Sequence, residues 1–335
     1  MNACSLNASF LSSPDGLVTI YQIMSCFEVP IHLLGAYCIL FKTPSQMSSV
    51  KWLLFILHCS SAFEDILISF ISRPYVLFPT MASYALGILY WPAGEFYFVV
   101  TSMAAVGNSI LLLFENRYFI IFARDRKAWW CKVRRPYLLL NGLLVITCFA
   151  PPYFFTPEQE SARSEVSVTL GCSFPDEIQN CKMYVLTLFY ELPFWCLSVS
   201  LSIYAIETNV FACLTLYKLF RLKNVTISHQ TQKLQKSLTV ALVIQISIPL
   251  VAILIPMYIL LSSVLFWYYN QALNNLVFIT LSLHGLLSAI VMMLIHRPYR
   301  EFLIFFVARM LCCPKKPTIS VRSSRIVRIV TNSMN

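Results

Sequence analysis

Seven stretches of this chain are apolar over about 20 residues, the length a helix needs to cross the hydrocarbon core of a bilayer. They run from Leu17 to Phe41 (interrupted by Pro30), Trp52 to about Ser72, Gly94 to Phe122, Tyr137 to Phe155, Leu192 to Tyr217, Leu238 to Leu261, and Gln271 to Ile295. Charged residues make up only 12% of the 335, about half the share of a soluble domain, so the chain cannot cover a globule with polar surface. None of the runs alternates as the strands of a membrane barrel would. The expected fold is an all-α membrane protein, a bundle of seven transmembrane helices spanning 17–311 with an interfacial helix after the seventh. An extracellular segment, 1–16, precedes it and a basic tail, 312–335, follows. The apolar stretch Tyr75–Trp91 carries Pro79 and Gly87 and precedes Pro92, and is read as a hydrophobic outer loop.

Charge orients the bundle. With the N-terminus outside, all of the 25 Lys and Arg except Arg73, Arg163 and Lys182 fall in inner loops or the tail. Lysine and arginine accumulate on the cytoplasmic side of membrane proteins, so N-out, C-in is the expected topology. The net charge of +10 is spread between apolar runs, which argues for lipid and against nucleic acid as the partner. The N-terminal segment lacks a basic n-region, so the first span is expected to insert uncleaved. Asn7-Ala8-Ser9 is a glycosylation sequon on the outer side.

Polar residues within the spans are the next constraint. Glu64 and Asp65 lie together in the second span, where an ionised acid costs roughly 2.5–3.5 kcal/mol on insertion scales. Asn108 in the third span and His284 and Ser288 in the seventh lie deep enough to join them in an intramembrane polar centre. Such a centre serves as an ion site or switch, or simply as a structural hydrogen-bond network. No metal-ligand spacing occurs among the five histidines, and no cofactor or metal is expected. Pro249 and Pro256 in the sixth span are expected to kink it, although prolines are also tolerated in membrane helices. Among twelve cysteines, Cys172 and Cys181 are the favoured pair in the second outer loop, with Cys4 the other external candidate. Cys312 and Cys313, beside Lys315 and Lys316, fit palmitoylation at the membrane surface.

The third run ends in Glu115-Asn116-Arg117-Tyr118. Taken alone, this acid and base are flank charges that snorkel to headgroups. Other local patterns change that reading. Lys42-Thr43-Pro44 with Val50-Lys51-Trp52, then His58 with Asp65, resemble the nematode serpentine receptors of class H, within the G-protein-coupled receptor superfamily. Leu113-Phe114-Glu115-Asn116-Arg117-Tyr118, Gln245-Ile246-Ser247-Ile248-Pro249 and His296-Arg297-Pro298-Tyr299-Arg300 are similar to the same family and keep its order. The resemblance implies a chemosensory receptor, not an enzyme, that binds a small-molecule ligand from outside and activates a heterotrimeric G protein. It implies the plasma membrane, with the cilium of a chemosensory neuron as the site. It also implies that Glu115, Asn116, Arg117 and Tyr118 form the coupling switch and that His296, Pro298, Tyr299 and Arg300 close the seventh helix. Asn116 turns Glu115 about 100° from where an adjacent acid would stand, which loosens its hold on Arg117 or gives it another partner. Ligand contacts are sought among outer-third residues: Glu95, Tyr97, Glu191, Tyr258 and Tyr268. A transporter or a ligand-gated channel of a seven-helix type is the alternative. The first lacks a visible inverted repeat, and the second requires the opposite orientation.

Overall fold

The computed structural model describes residues 9–44, 47–89, 91–120, 129–171, 183–221 and 229–311. Asn7, Cys172, Cys181, Cys312 and Cys313 lie outside them. Seven helices have the length and apolarity to cross a membrane. They are α1 (Pro14–Lys42), α2 (Ser48–Ile66, prolonged by a π-helical turn Leu67–Ser72), α3 (Pro92–Tyr118) and α4 (Trp129–Thr147, prolonged by a 3₁₀ turn Pro151–Phe155). After the short helix α5 (Gln159–Leu170) come α6 (Glu191–Arg221), α7 (His229–Leu265), and a seventh span made of two pieces, α8 (Gln271–Ser282) and α9 (His284–Ile295). Helix α10 (Arg297–Leu311) follows at once.

Local chemistry sets the ends. Ser13 caps α1 by accepting the Gly16 N–H at 3.0 Å, with Pro14 at the first helical position where its missing donor is harmless. Asn270 caps α8 through the Leu273 N–H at 3.1 Å. Glu158 caps α5, accepting from Glu160 and Ser161, and the Ser161 N–H holds its carboxyl below the usual range. Helix α7 runs unbroken past Pro249 and Pro256. The seventh span is interrupted at Leu283, between α8 and α9.

The distribution of side chains is that of a body dissolved in lipid. Phe27, Leu33, Phe41, Leu140, Ile206 and Ile255 are exposed, while Glu28, His32, His58, Glu64, Asp65, Glu115, Arg117 and His284 are buried. Apolar faces on hydrocarbon cost nothing, whereas polar groups there must find partners within the protein.

The stretch after α2 is a loop outside the spans, as its prolines suggest, but it is folded. Strands β1 (Pro74–Val76) and β2 (Met81–Ala85) form an antiparallel hairpin, and β3 (Tyr184–Thr187), from the connection between α5 and α6, adds to the far edge of β2. Every residue of β1 and the first four of β2 are buried. With both faces covered, the alternation that marks a half-exposed strand is absent. The hairpin is moored to the seventh span, where Asn274 Nδ2 donates to the Phe78 carbonyl at 2.9 Å and Gln271 Nε2 to that of Val76 at 3.2 Å. Tyr75 donates its hydroxyl to the Ser12 carbonyl, and Asn275 reaches that of Leu11. The side chain of α5 that holds β3 is Gln159, which both donates to and accepts from Val185. The sheet thus closes one end of the bundle; the opposite end carries the basic helix termini.

Replacing Asn274 with Ala leaves the Phe78 carbonyl buried and unpaired. We expect a loss of about 1–3 kcal/mol, seen as a lower Tm of the purified protein. Amide exchange should quicken across residues 76–82 and stay unchanged in the middle of α3.

Candidate functional site

Three polar sites are built into the bundle. The first lies where α1, α2 and the broken seventh span meet. Asp65 is fully buried between two histidines: His32 Nε2 lies 3.1 Å from Oδ2, and His284 Nδ1, which donates to the Leu281 carbonyl at 2.7 Å, lies 3.1 Å from Oδ1. Two backbone donors complete its shell, Gly285 N–H at 3.1 Å and Leu286 N–H at 2.6 Å. These belong to the first turn of α9. Breaking the span at Leu283 frees N–H groups that have no carbonyl one turn back, and a carboxylate from another helix takes them, with the helix dipole favouring its charge. A Cβ on Gly285 would stand 2.6 Å from Asp65 Oδ2 and 2.7 Å from the Ser61 carbonyl, so glycine is what lets the two helices approach. His58 donates to the His32 carbonyl at 2.9 Å and packs under Gly35. Glu64, on the same helix as Asp65, has Oε2 3.7 Å from His284 Nε2, beyond hydrogen-bond reach.

Of the residues expected in this centre, Glu64, Asp65 and His284 are brought together. Asn108 and Ser288 are half-buried, and among the described residues no hydrogen bond joins either to Asp65. His32 offers no spacing signal in the sequence, as the one histidine of a mostly apolar run. Glu28, another buried acid of α1, accepts from Ser69 on the π-helical turn at 2.5 Å.

The second site is at the basic end. Glu115 does not pair with Arg117. Its carboxylate is buried and takes a bidentate grip from Arg134 of α4, Nε to Oε1 at 2.8 Å and Nη2 to Oε2 at 2.9 Å, with Trp130 Nε1–H donating at 2.8 Å. Asn116 accepts from Arg134 at 3.3 Å and donates to the Ser49 carbonyl at 3.3 Å. The 100° offset imposed by Asn116 is the reason: Glu115 faces α4 while Arg117 faces inward. Arg117 is 1% exposed and lies close enough to His296 to act on its charge. His296 Nε2 lies 2.9 Å from Gln245 Oε1 of α7, and burial, with Arg117 beside it, pushes the imidazole pKa down to about 4. Tyr299 is fully buried, its hydroxyl 2.6 Å from Thr43 Oγ1 after α1, and its ring packs edge-on to His296. Arg300 instead reaches the Leu294 carbonyl at 3.2 Å, Pro298 sits in the first turn of α10, and the Tyr118 ring packs at a tilt against Phe211. Trp130 and Arg134 carry the Glu115 pairing, yet in the sequence they are only two members of a basic, tryptophan-containing segment.

The third site is a cavity beneath the sheet. About 660 Å³ of empty space, its open side included, is lined by α3, α6, α7, α8 and the hairpin. Phe96, Val99, Val100 and Met103 line it from α3, and Met257, Leu260, Leu261 and Val264 from α7, each set at i, i+3, i+4, i+7 on one helix face. Glu95 is in the wall, but Ser72 and Ser83 donate to its two oxygens at 2.6 and 3.1 Å. Four of the expected ligand contacts are elsewhere. Tyr258 is one residue, hence about 100°, off the lining face of α7 and is 74% exposed. Tyr268 and Glu191 are exposed, and Tyr97 bonds toward α4, to the Ile146 carbonyl at 2.8 Å. Depth along a helix does not reveal which of its faces looks inward when both faces are apolar.

Seven lipid-bathed helices closed around a buried acid, with a buried arginine ending the third, define a multi-pass serpentine membrane protein. Residues 12–309 match the family model described as serpentine type 7TM GPCR chemoreceptor Srh. The chain belongs to that family. It is similar to serpentine receptor class H-72 of Caenorhabditis elegans, with 29% identity over 342 residues that cover 99% of this chain and 94% of that protein.

Arg134→Gln strips Glu115 of its charged partner. The expected loss is toward the low end of the roughly 3–5 kcal/mol for breaking a buried pair, since Arg134 keeps a quarter of its surface exposed. Pairing it with Glu115→Gln should recover much of the lost Tm; a double variant no more stable than the single one would contradict this assignment.

His296 binds its proton less readily folded than unfolded. The unfolded chain therefore takes up more protons below pH 6.5, and stability should fall as pH drops from there toward 4. Thermal melts of wild type and His296→Gln across that window should converge in the acid range if the ring is responsible.

Proposed function

We propose that this chain is a chemosensory receptor that takes up a small apolar molecule at the sheet-covered end and activates a heterotrimeric G protein at the basic end. In this reading the sheet end and the N-terminus are extracellular, the receptor sits in the plasma membrane of a chemosensory neuron, and the ciliary membrane is its working site. The carrying observation is the cavity beneath the sheet, lined by the same helix that ends in Arg117. From Met103 to Arg117 is about 21 Å along α3 at 1.5 Å per residue, the span over which occupancy would be reported.

The lining selects the ligand class. Valine, leucine, methionine and phenylalanine dominate it, and the carboxylate of Glu95 already has two serine donors. An uncharged, largely hydrocarbon molecule fits such walls, since a buried charge without a partner would be costly. Ligand must bind one arrangement of the bundle better than another to have any effect. The response is read by Arg117, Gln245, His296 and Tyr299, which join the third, sixth and seventh spans at the basic end. The receptor itself makes and breaks no covalent bond; nucleotide exchange takes place on the G protein.

The test is nucleotide exchange on a purified G protein, driven by the receptor in nanodiscs and challenged with a panel of apolar odorant-sized compounds. Val99→Phe, which fills the cavity, should abolish the response to any agonist found. Arg117→Ala should abolish exchange at least tenfold while agonist binding survives. A full response from the cavity-filled variant would remove the cavity from the reading, and one from Arg117→Ala would remove that residue.

A further inference from the structure

A second recess lies on the outer surface of the sheet end, between α5, the tip of the β1–β2 hairpin and the turn after α7. It holds about 420 Å³ of empty space, its open side included, and among its walls are Thr80, Met81, Glu165, Thr169, Tyr190 and Trp267. Its carboxylate, Glu165, is exposed, whereas Glu95 in the cavity below is buried and already taken by two serine donors. Met81 borders both spaces.

The backbone at Trp267 points to use. Trp267 has φ +52°, one of two non-glycine residues in the left-handed region among the described ones. It follows the last turn of α7, where the Trp267 N–H donates to the Val264 carbonyl at 3.3 Å and the Tyr268 N–H to that of Ser263 at 2.9 Å. This is a helix C-terminal cap of the kind that glycine normally supplies, because only glycine adopts it without a Cβ penalty. A tryptophan held there sets its indole 5.6 Å from the Tyr190 ring at 54°, two walls of a corner. Strained positions held against the residue's own preference concentrate at functional sites.

Electrostatics name the occupant. Glu165 lines the recess and is exposed. Arg163, two residues away and so about 200° round α5, is turned to the Met183 carbonyl, which its Nε reaches at 2.7 Å. Thr169 stands in the last turn of α5, the negative end of that helix. Two ring faces, a carboxylate and a helix C-terminus all favour positive charge. We propose that this recess is a binding site for small organic cations, protonated or quaternary amines, separate from the apolar cavity beneath it. The ammonium would rest on the Trp267 and Tyr190 faces with Glu165 as counter-ion, against the hairpin tip, whose Met81 also borders the lower cavity.

The full chain in nanodiscs is titrated with choline and with 3,3-dimethylbutan-1-ol, its uncharged isostere, following ligand-observed saturation-transfer NMR. Choline is expected to bind saturably, with the neutral isostere at least tenfold weaker. Glu165→Gln should weaken choline roughly fivefold or more. Trp267→Gly is the decisive variant: glycine suits the backbone there, so the Tm should hold or rise while choline binding is lost. Choline binding that persists in Trp267→Gly, equal binding of the isostere, or no saturation by wild type up to 100 mM would each overturn the proposal. None of these readouts depends on G-protein activation, so the site stands or falls apart from the coupling reading.

Discussion

The bundle depends on one exchange between two groups that lipid cannot solvate. A helix broken in mid-membrane presents N–H donors with no partner, and an acid in the same layer presents a charge with no water. Each alone costs several kcal/mol in hydrocarbon. Asp65 and the first turn of α9 cancel those costs, with the Leu286 N–H at 2.6 Å the shortest of the contacts. The exchange also dictates architecture. It requires glycine at 285, since a Cβ there would collide with the carboxylate. It draws α2 against the seventh span, and through His32 it draws in α1. Three of the seven helices are thereby fixed as a unit, while α4 presents its apolar faces mostly outward, Leu139, Leu140 and Leu143 among them.

A parallel logic governs the basic end. Glu115 and Arg117 are two residues apart, about 200° round a helix, and cannot serve one another as adjacent residues might. The acid therefore turns to α4, where Arg134 and Trp130 satisfy both oxygens. The ion pair spans two helices and Arg134 also stacks on Phe119 at 4.0 Å. Arg117 is left to the interior, near His296 and away from any acid of its own motif. Burial, with that positive charge beside it, favours the neutral imidazole, whose Nε2 donates to Gln245 and whose ring packs edge-on to Tyr299.

The number, order and approximate limits of the spans were legible in the sequence because each is a 20-residue apolar run, and lipid imposes that length. The seventh matched to the residue, Gln271 to Ile295, since Asn270 and His296 mark its ends. The break within it was not legible: Leu283-His284-Gly285 looks like ordinary apolar helix until Asp65 is placed beside it. The sheet escaped for a similar reason. Its strands are three to five residues long and buried on both faces, so composition signals a hydrophobic loop and periodicity signals nothing. In the sites, residue types were easier to read than partners. Asp65 and His284 share a depth, which a ruler of 1.5 Å per residue can measure. That Glu115 would meet Arg134 depended on how α3 and α4 cross. Tyr258, polar and well placed in depth, lies one residue off the face of α7 that lines the cavity, and α7 packs on α9, α8 and α6 through contacts its own sequence does not announce.

On the proposed function, the cavity and the basic-end cluster are joined by two helices and not one. Helix α3 carries Val99 and Met103 at the cavity and Arg117 at its end; α7 carries Met257 and Leu260 at the cavity and Gln245 at the His296 contact. From Met257 to Gln245 is about 18 Å along α7, close to the distance on α3. A ligand that widens or narrows the gap between these helices at one end changes their spacing at the other, provided both act as rods. Helix α3 packs on α6, α2 and α4, and α7 on α9, α8 and α6, and packed interfaces respond by switching between arrangements more readily than by stretching. The apolar lining then has a mechanical merit beyond its affinity for hydrocarbon. With no hydrogen bond joining the α3 and α7 residues that line the cavity among the described residues, the α3–α7 spacing is set by volume, and volume is the property in which one small apolar molecule differs most from another.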